Sequence, residues 1–204
     1  LAPTHPAHGD VVQAEAGEAG SAYRRLSPFS ARARATIAEI YEDLGRHAHF
    51  SGLLFHDDGL LGDHEDASAA ALAVYRERWA LPASVDAIRA DPQQAATWAR
   101  RKTEWLIDFG SELKAAAATY TAPLKTARNL YAAPALDPAA ESWFAQSLPA
   151  FLRAYDYTAL MAMPHMEGAE QPARFLDDLV KAVDAHSGGL DRTVFELQAR
   201  DWRS

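Results

Sequence analysis

Five carboxylates fall within ten residues, Asp57, Asp58, Asp63, Glu65 and Asp66, with His56 and His64 beside them. Anions this crowded repel one another, so each must be solvated, paired with a cation or put to chemical use. The use that suits them is proton transfer, in which neighbouring charges keep one carboxyl protonated while the others stay ionised. His56, Asp57 and His64 also have the donor types of a zinc site. Three ligands from one short loop, with no cysteine and no second histidine cluster, support that poorly. A solvated acidic loop without chemistry is the plain alternative.

The cluster follows Phe50-Ser51-Gly52-Leu53-Leu54-Phe55, an apolar run without alternation. Such a run reads as a strand covered on both faces, as in a parallel sheet. In an α/β barrel, the loop after a strand's carboxyl end is where catalytic groups sit. The rest of the chain repeats the unit. Strands are predicted at 50–57, 124–131, 155–163 and 193–198. Helices are predicted at 31–47 with Ser30 as cap, at 67–79, from Pro92 to about Tyr120, from Pro138 through Leu152 and at 172–186, with a short turn at 84–89.

Strand and helix in strict alternation imply parallel βα units with right-handed crossovers. Polar residues recur at the strand ends: Asp57 and Asp58, Arg128 and Asn129, His165 and Glu167, Glu196 and Gln198. A (β/α)8 barrel mouth requires functional groups at successive strand ends, whereas a doubly wound sheet gathers them at one switch point. The fold class is therefore α/β, a (β/α)8 TIM-barrel-like domain. Four βα units are visible against eight in a whole barrel, so the chain reads as a central and C-terminal part of one, over 23–204. Residues 1–22 read as an irregular N-terminal segment.

The formal net charge of −8 argues against a nucleic-acid partner and favours a cationic or neutral ligand. No apolar run approaches the roughly 20 residues needed to cross a bilayer. Leu1 to Gly20 shows no basic segment leading into an apolar one, so no export signal is visible. Without cysteine, thiolate chemistry is excluded.

Eight stretches carry a resemblance. They are Tyr-Arg-Arg-Leu-Ser-Pro-Phe at 23–29, Ile-Tyr-Glu-Asp-Leu at 40–44, Gly-Leu-Leu-Phe-His-Asp-Asp at 52–58 and Glu-Asp-Ala-Ser at 65–68. Further along come Lys-Thr-Ala-Arg-Asn at 125–129, Trp-Phe-Ala-Gln at 143–146, Met-Ala-Met-Pro at 161–164 and Glu-Leu-Gln-Ala at 196–199. In this order the chain resembles the C-terminal glycoside hydrolase domains of the PgaB family, proteins of poly-β-1,6-N-acetyl-D-glucosamine (PNAG) deacetylation and export. The resemblance implies a barrel domain that binds and cleaves partly deacetylated PNAG, a biofilm exopolysaccharide. It also implies a periplasmic location, a tether to the outer membrane through the full-length protein, and as partners a separate N-terminal deacetylase domain and the outer-membrane export machinery. Neither a cofactor nor a metal is implied for this part.

Asp63 matches the family's catalytic aspartate and is expected to be the general acid, its proton held by the anions Asp57, Asp58 and Glu65. Of Asp57 and Asp58, one is expected to bind a glucosamine ammonium or orient Asp63, and the other to brace the loop. Tyr23 and Trp143 offer rings for the apolar faces of sugars. Glu65, Arg128, Asn129 and Glu196 complete the expected substrate-binding set, with Arg128 and Asn129 expected either to hydrogen-bond sugar hydroxyls or to hold the carboxylates. His56 is expected to be a packed histidine. Glu167 and Glu196 are further carboxylates that could face the groove, with neither taken as nucleophile. The rival reading is a non-catalytic PNAG-binding module that assists export.

Overall fold

The structure, a computed structural model, describes residues 25–198 and 200. The expected N-terminal segment at 1–22 and Tyr23 lie outside the described residues. Along the chain come α1 (Ala31–His47), β1 (Gly52–Phe55), α2 (Ala69–Trp79), α3 (Val85–Arg89), α4 (Pro92–Ala118) and β2 (Lys125–Leu130). There follow α5 (Ala132–Leu136), α6 (Glu141–Phe144), α7 (Leu148–Ala154), β3 (Tyr157–Ala162), α8 (Pro172–Asp184) and β4 (Thr193–Leu197).

Among the described residues the four strands form one sheet, every pair parallel, in the order β1-β2-β3-β4. Spatial order that follows chain order without reversal is the winding of a barrel wall, because a doubly wound sheet reverses at a switch point. Each strand is one to four residues shorter than its predicted span.

The register sorts the strand residues onto two faces. Leu53, Phe55, Leu130, Leu160, Ala162 and Phe195 pack with Leu113 of α4, Phe151 of α7 and Leu179 and Val183 of α8 in the main core. Leu54, Ala127, Asn129, Ala159, Met161, Val194 and Glu196 occupy the opposite, inner face, as period-two alternation and the strand pairing require. Leu54 and Val194, on the edge strands, are 52% and 53% exposed on that face, whereas Asn129, Ala159 and Met161 on the middle strands are buried, so the inner face is open along its edges.

Two helices owe their positions to legible signals. Ser30 caps α1, its side chain accepting from Ala33 N, and Asp91 caps α4 by accepting from Gln93 N at 2.8 Å, with Pro92 in the first turn. Where α1 meets α4, a Cβ on Gly45 would lie 2.1 Å from Ala117 O, so glycine permits the contact. The single helix predicted from Pro138 through Leu152 is instead broken. A 3-10 turn (Pro138–Ala140) leads into α6, and the chain leaves the helix at Ala145 with φ 49° before α7 starts. Pro149 explains the break, since its ring clashes with the carbonyl four residues back, at Ala145. The short α5 was not foreseen.

Between β1 and α4 the chain builds a second core from Phe29, Leu61, Tyr75, Val85, Ile88 and Trp98. Its rings lock edge to face and face to face: Tyr75 stacks on Trp79 at 5.0 Å and Phe29 on Trp105 at 5.2 Å. Leu61 is fully buried in it, which anchors the middle of the acidic loop.

Candidate active site

Backbone carbonyls of the loop at residues 56–65 are held by cations. Arg128 donates from Nη1 to His56 O at 3.0 Å and from Nη2 to Gly59 O. Arg25 donates to Leu60 O and reaches Glu65 Oε2 at 2.6 Å. Lys102 Nζ donates to Gly62 O at 2.5 Å and Glu65 O at 3.0 Å. Glu65 Oε2 also accepts from Gly62 N at 2.9 Å, closing the turn around Asp63. A Cβ at Gly59 would lie 2.7 Å from Arg128 Nη2, so a side chain there would push the guanidinium from its place. Asp66 closes the loop from within, fully buried, accepting from Ser27 Oγ at 2.5 Å and from the Ser68 amide and hydroxyl at 2.8 and 3.0 Å.

Two expected sugar-binding residues are therefore placed as braces. Arg128 stands beside Phe55 in the register, on the helix-facing side, so it points away from the mouth into the wall behind the loop. Burial also lowers the proton affinity of its guanidinium. Glu65 is spent on Arg25 and on the loop's own amide.

Asp63 opens onto a cleft of about 450 Å³, lined also by Asp86, Arg89, Trp98, Ser142 and Trp143. Trp143, on α6, is 57% exposed, a large ring offered to solvent. Of the anions expected around Asp63, Asp57 is held by Tyr131 and Glu65 by Arg25, and cationic groups stand beside Asp63: Arg89 Nη2 lies 3.1 Å and His64 Nε2 3.6 Å from Asp63 Oδ2, while Arg89 Nη1 meets His64 Nδ1 at 3.0 Å. The zinc set that included His64 is not assembled, because His64 lies with Arg89 on the cleft side.

A second group sits at the end of the inner face. Asp57 Oδ2 accepts from Tyr131 OH at 2.7 Å, with His56 Nδ1 against the other carboxylate oxygen. Asn129, on the inner face, donates to Glu196 Oε2 at 2.7 Å. Burial raises the proton affinity of Glu196, the Asn129 hydrogen bond and His56 oppose it, and Asp57 adds to it. Burial and then the hydrogen bond to Asp57 push the Tyr131 phenol upward. Asp58 lines a pocket of about 240 Å³ behind the loop with Tyr41, Phe109, Arg128 and Tyr155. Ligand atoms of His56, Asp57 and Asp58 all lie within 4.8 Å of one another, a donor set able to hold a divalent cation. The Phe144 ring packs on Tyr131 at 4.9 Å, which joins this group to the helix that carries Trp143.

Known proteins bear on this geometry. The model of the family described as GHL13, hypothetical glycosyl hydrolase family 13, matches residues 3–204. The chain belongs to this family. The GHL13 chain is similar to the solved glycoside hydrolase domain of PgaB (BpsB) from Bordetella bronchiseptica, with a TM-score of 0.90 and 53% identity over 98% of this chain and 58% of that one. It is similar as well to the proteins named poly-β-1,6-N-acetyl-D-glucosamine N-deacetylase of Escherichia coli K12 and O157:H7. Each is 46% identical over 184 residues, covering 89% of this chain and 27% of the relative. The chain thus spans about a quarter of those curated relatives. Its fold is a partial TIM-barrel-like α/β architecture.

Arg25, Arg89, Lys102 and Tyr131 had not been singled out in this GHL13 chain. Lys102 had a visible signal, since it falls one turn after Trp98 on the otherwise apolar stripe of α4. Tyr131 also had one, two residues after Asn129 at a strand end. Arg25 and Arg89 depend on contacts 40 and 26 residues away, for which no local pattern exists.

Proposed function

We propose that this GHL13 chain cleaves partly deacetylated PNAG as a glycoside hydrolase, with Asp63 as general acid. The observation that carries it is the shared cleft: Asp63, from the loop after β1, and Trp143, from the helix α6 that follows β2, line one opening at the carboxyl end of the sheet. Glycoside cleavage passes through an oxocarbenium-like state and needs a carboxylic acid at the leaving oxygen. With Oδ2 accepting from Arg89, the proton for that oxygen would ride on Oδ1. The exposed Trp143 face would cover the apolar C–H face of a sugar ring. Asp57, Asn129 and Glu196 are the polar groups that would meet amines and hydroxyls of the polymer. For a glycone that keeps its acetyl group, the amide carbonyl could attack internally, a route recorded for some hydrolase families. A glucosamine glycone lacks that carbonyl. The names of the E. coli relatives support a setting beside a deacetylase, which would supply the amines this site is read to bind.

The test is cleavage of partly deacetylated PNAG by the protein at its natural length, with products mapped by mass spectrometry. Asp63→Asn should lose at least about 10²-fold in kcat, the lower end of what a general acid contributes, while affinity for the polymer stays within a few-fold. Binding with no cleavage by wild type would establish the binding module instead. Cleavage by Asp63→Asn at the wild-type rate would remove Asp63 from the chemistry.

A further inference from the structure

Beneath the loop that presents Asp63 lies a lysine with no part in the chemistry above. Lys102 is 0% exposed, and its Nζ stands 3.7 Å from the centre of the Trp98 ring, one turn earlier on α4. The two carbonyls it binds, Gly62 O and Glu65 O, bracket the Asp63–His64 step on either side. Trp98 at the same time lines the cleft. One ammonium therefore joins the cleft wall to both ends of the segment that carries the acid. An apolar side chain of similar length would pack against Trp98 without the desolvation that a buried cation suffers. What only the ammonium supplies is the pair of charge-assisted bonds to the loop.

We propose that Lys102 is the positioning residue for the general acid, its ammonium fixing the direction in which the Asp63 carboxyl meets the glycosidic oxygen. This rests on the reading of Asp63 as acid. Lys102 faces Asp63, Glu65 and Asp66 from the loop and Arg89 from the end of α3, with Arg25 behind Glu65. Burial brings its pKa down to about 7, against the pull of the three carboxylates. The clamp is then at full strength below neutrality and loses its charge above it, so kcat should decline on the alkaline side with a midpoint near 7.

Three forms of the natural-length protein decide the matter: wild type, Lys102→Met and Lys102→Arg, each assayed on partly deacetylated PNAG from mildly acid to mildly alkaline pH. Lys102→Met should lose about 10²-fold in kcat, the scale on which small misplacements act, with KM little changed and without the limb near 7, leaving only the limb of the acid itself. Lys102→Arg keeps a charge that does not titrate in this range and should recover part of the rate, with the limb displaced upward. A folded Lys102→Met within about twofold of wild type, or one that keeps the wild-type limb, overturns the proposal. If Lys102→Met does not fold, wild type labelled with [ε-13C]lysine and 15N settles it by NMR. The amides of residues 62–65 should shift together with the Lys102 titration, and amides that ignore it overturn the proposal. Should wild type not cleave at all, the acid reading falls by itself, and the same NMR titration still decides whether Lys102 sets the loop.

Discussion

Water usually satisfies the carbonyls of a surface loop, but at residues 56–65 Arg25, Lys102 and Arg128 do so, with consequences for stability as well as for aim. Lys102 shows it most clearly. Folded, it gives up its proton near pH 7, whereas the ordinary lysine value of 10.5 applies once the chain unfolds. Between those values the unfolded chain binds the extra proton, so raising the pH favours the fold, and below the lower one the burial penalty is present in full. We expect urea unfolding of wild type to show a Lys102 contribution that rises with pH by up to about 1.4 kcal/mol per unit through the mildly alkaline range. Lys102→Met should lack that slope, and equal slopes in the two proteins would refute the assignment. The carboxylates of this site were legible because they crowd together in the chain. Their partners were not, because a cation on α4 or β2 reveals its target only once the helix and the sheet are packed. The partners of the anions expected around Asp63 were hidden for the same reason: Asp57 meets Tyr131, Glu65 meets Arg25, and Arg89 stands beside Asp63.

Parity is what a strand contributes, and it divides neighbouring residues of β2 between two fates. Asn129 faces the inner side and meets Glu196, while Arg128 faces the helices and holds the loop from behind. Reading both as mouth residues located the strand's end correctly and passed over its alternation, although a shift of one position exchanges every side chain between faces. Helix starts were legible wherever a cap and a proline coincide, as at Asp91-Pro92, and the broken segment around Ala145 shows how a proline further along overrides an apolar periodicity. The α1–α4 contact carries a prediction of its own. Gly45→Ala would set a methyl group 2.1 Å from Ala117 O, a backbone atom that cannot swing aside, so the two helices must separate. Overpacking of this kind costs about 1–3 kcal/mol, which in a chain of this size lowers Tm by roughly 2–12 °C. Calorimetry of the variant measures it, and an unchanged Tm would mean that the helices are not held as closely as described.

At the scale of the molecule, two cores divide the labour. One fastens the helices to the outer side of the sheet, and the other, rich in aromatic rings, lifts the acidic loop over the strand ends and holds one wall of the cleft. The barrel character was legible because four strands in chain order leave few other parallel arrangements. The second core was not, since the stretch from Ala67 to Arg89 reads locally as ordinary βα connection. Over the whole assembly lies a formal net charge of −8, set against a proposed polymer that bears ammonium groups wherever it has been deacetylated. Attraction of that kind reaches about 10 Å at 0.1 M salt and only about 3 Å at 1 M. Calorimetric titration with partly deacetylated oligomers should therefore show affinity falling several-fold between these conditions, mostly through slower association, while fully acetylated oligomers of equal length bind with little salt dependence. If both oligomers respond to salt alike, the acidic surface serves solubility, and recognition of the polymer must rest on the rings and hydrogen bonds of the cleft alone.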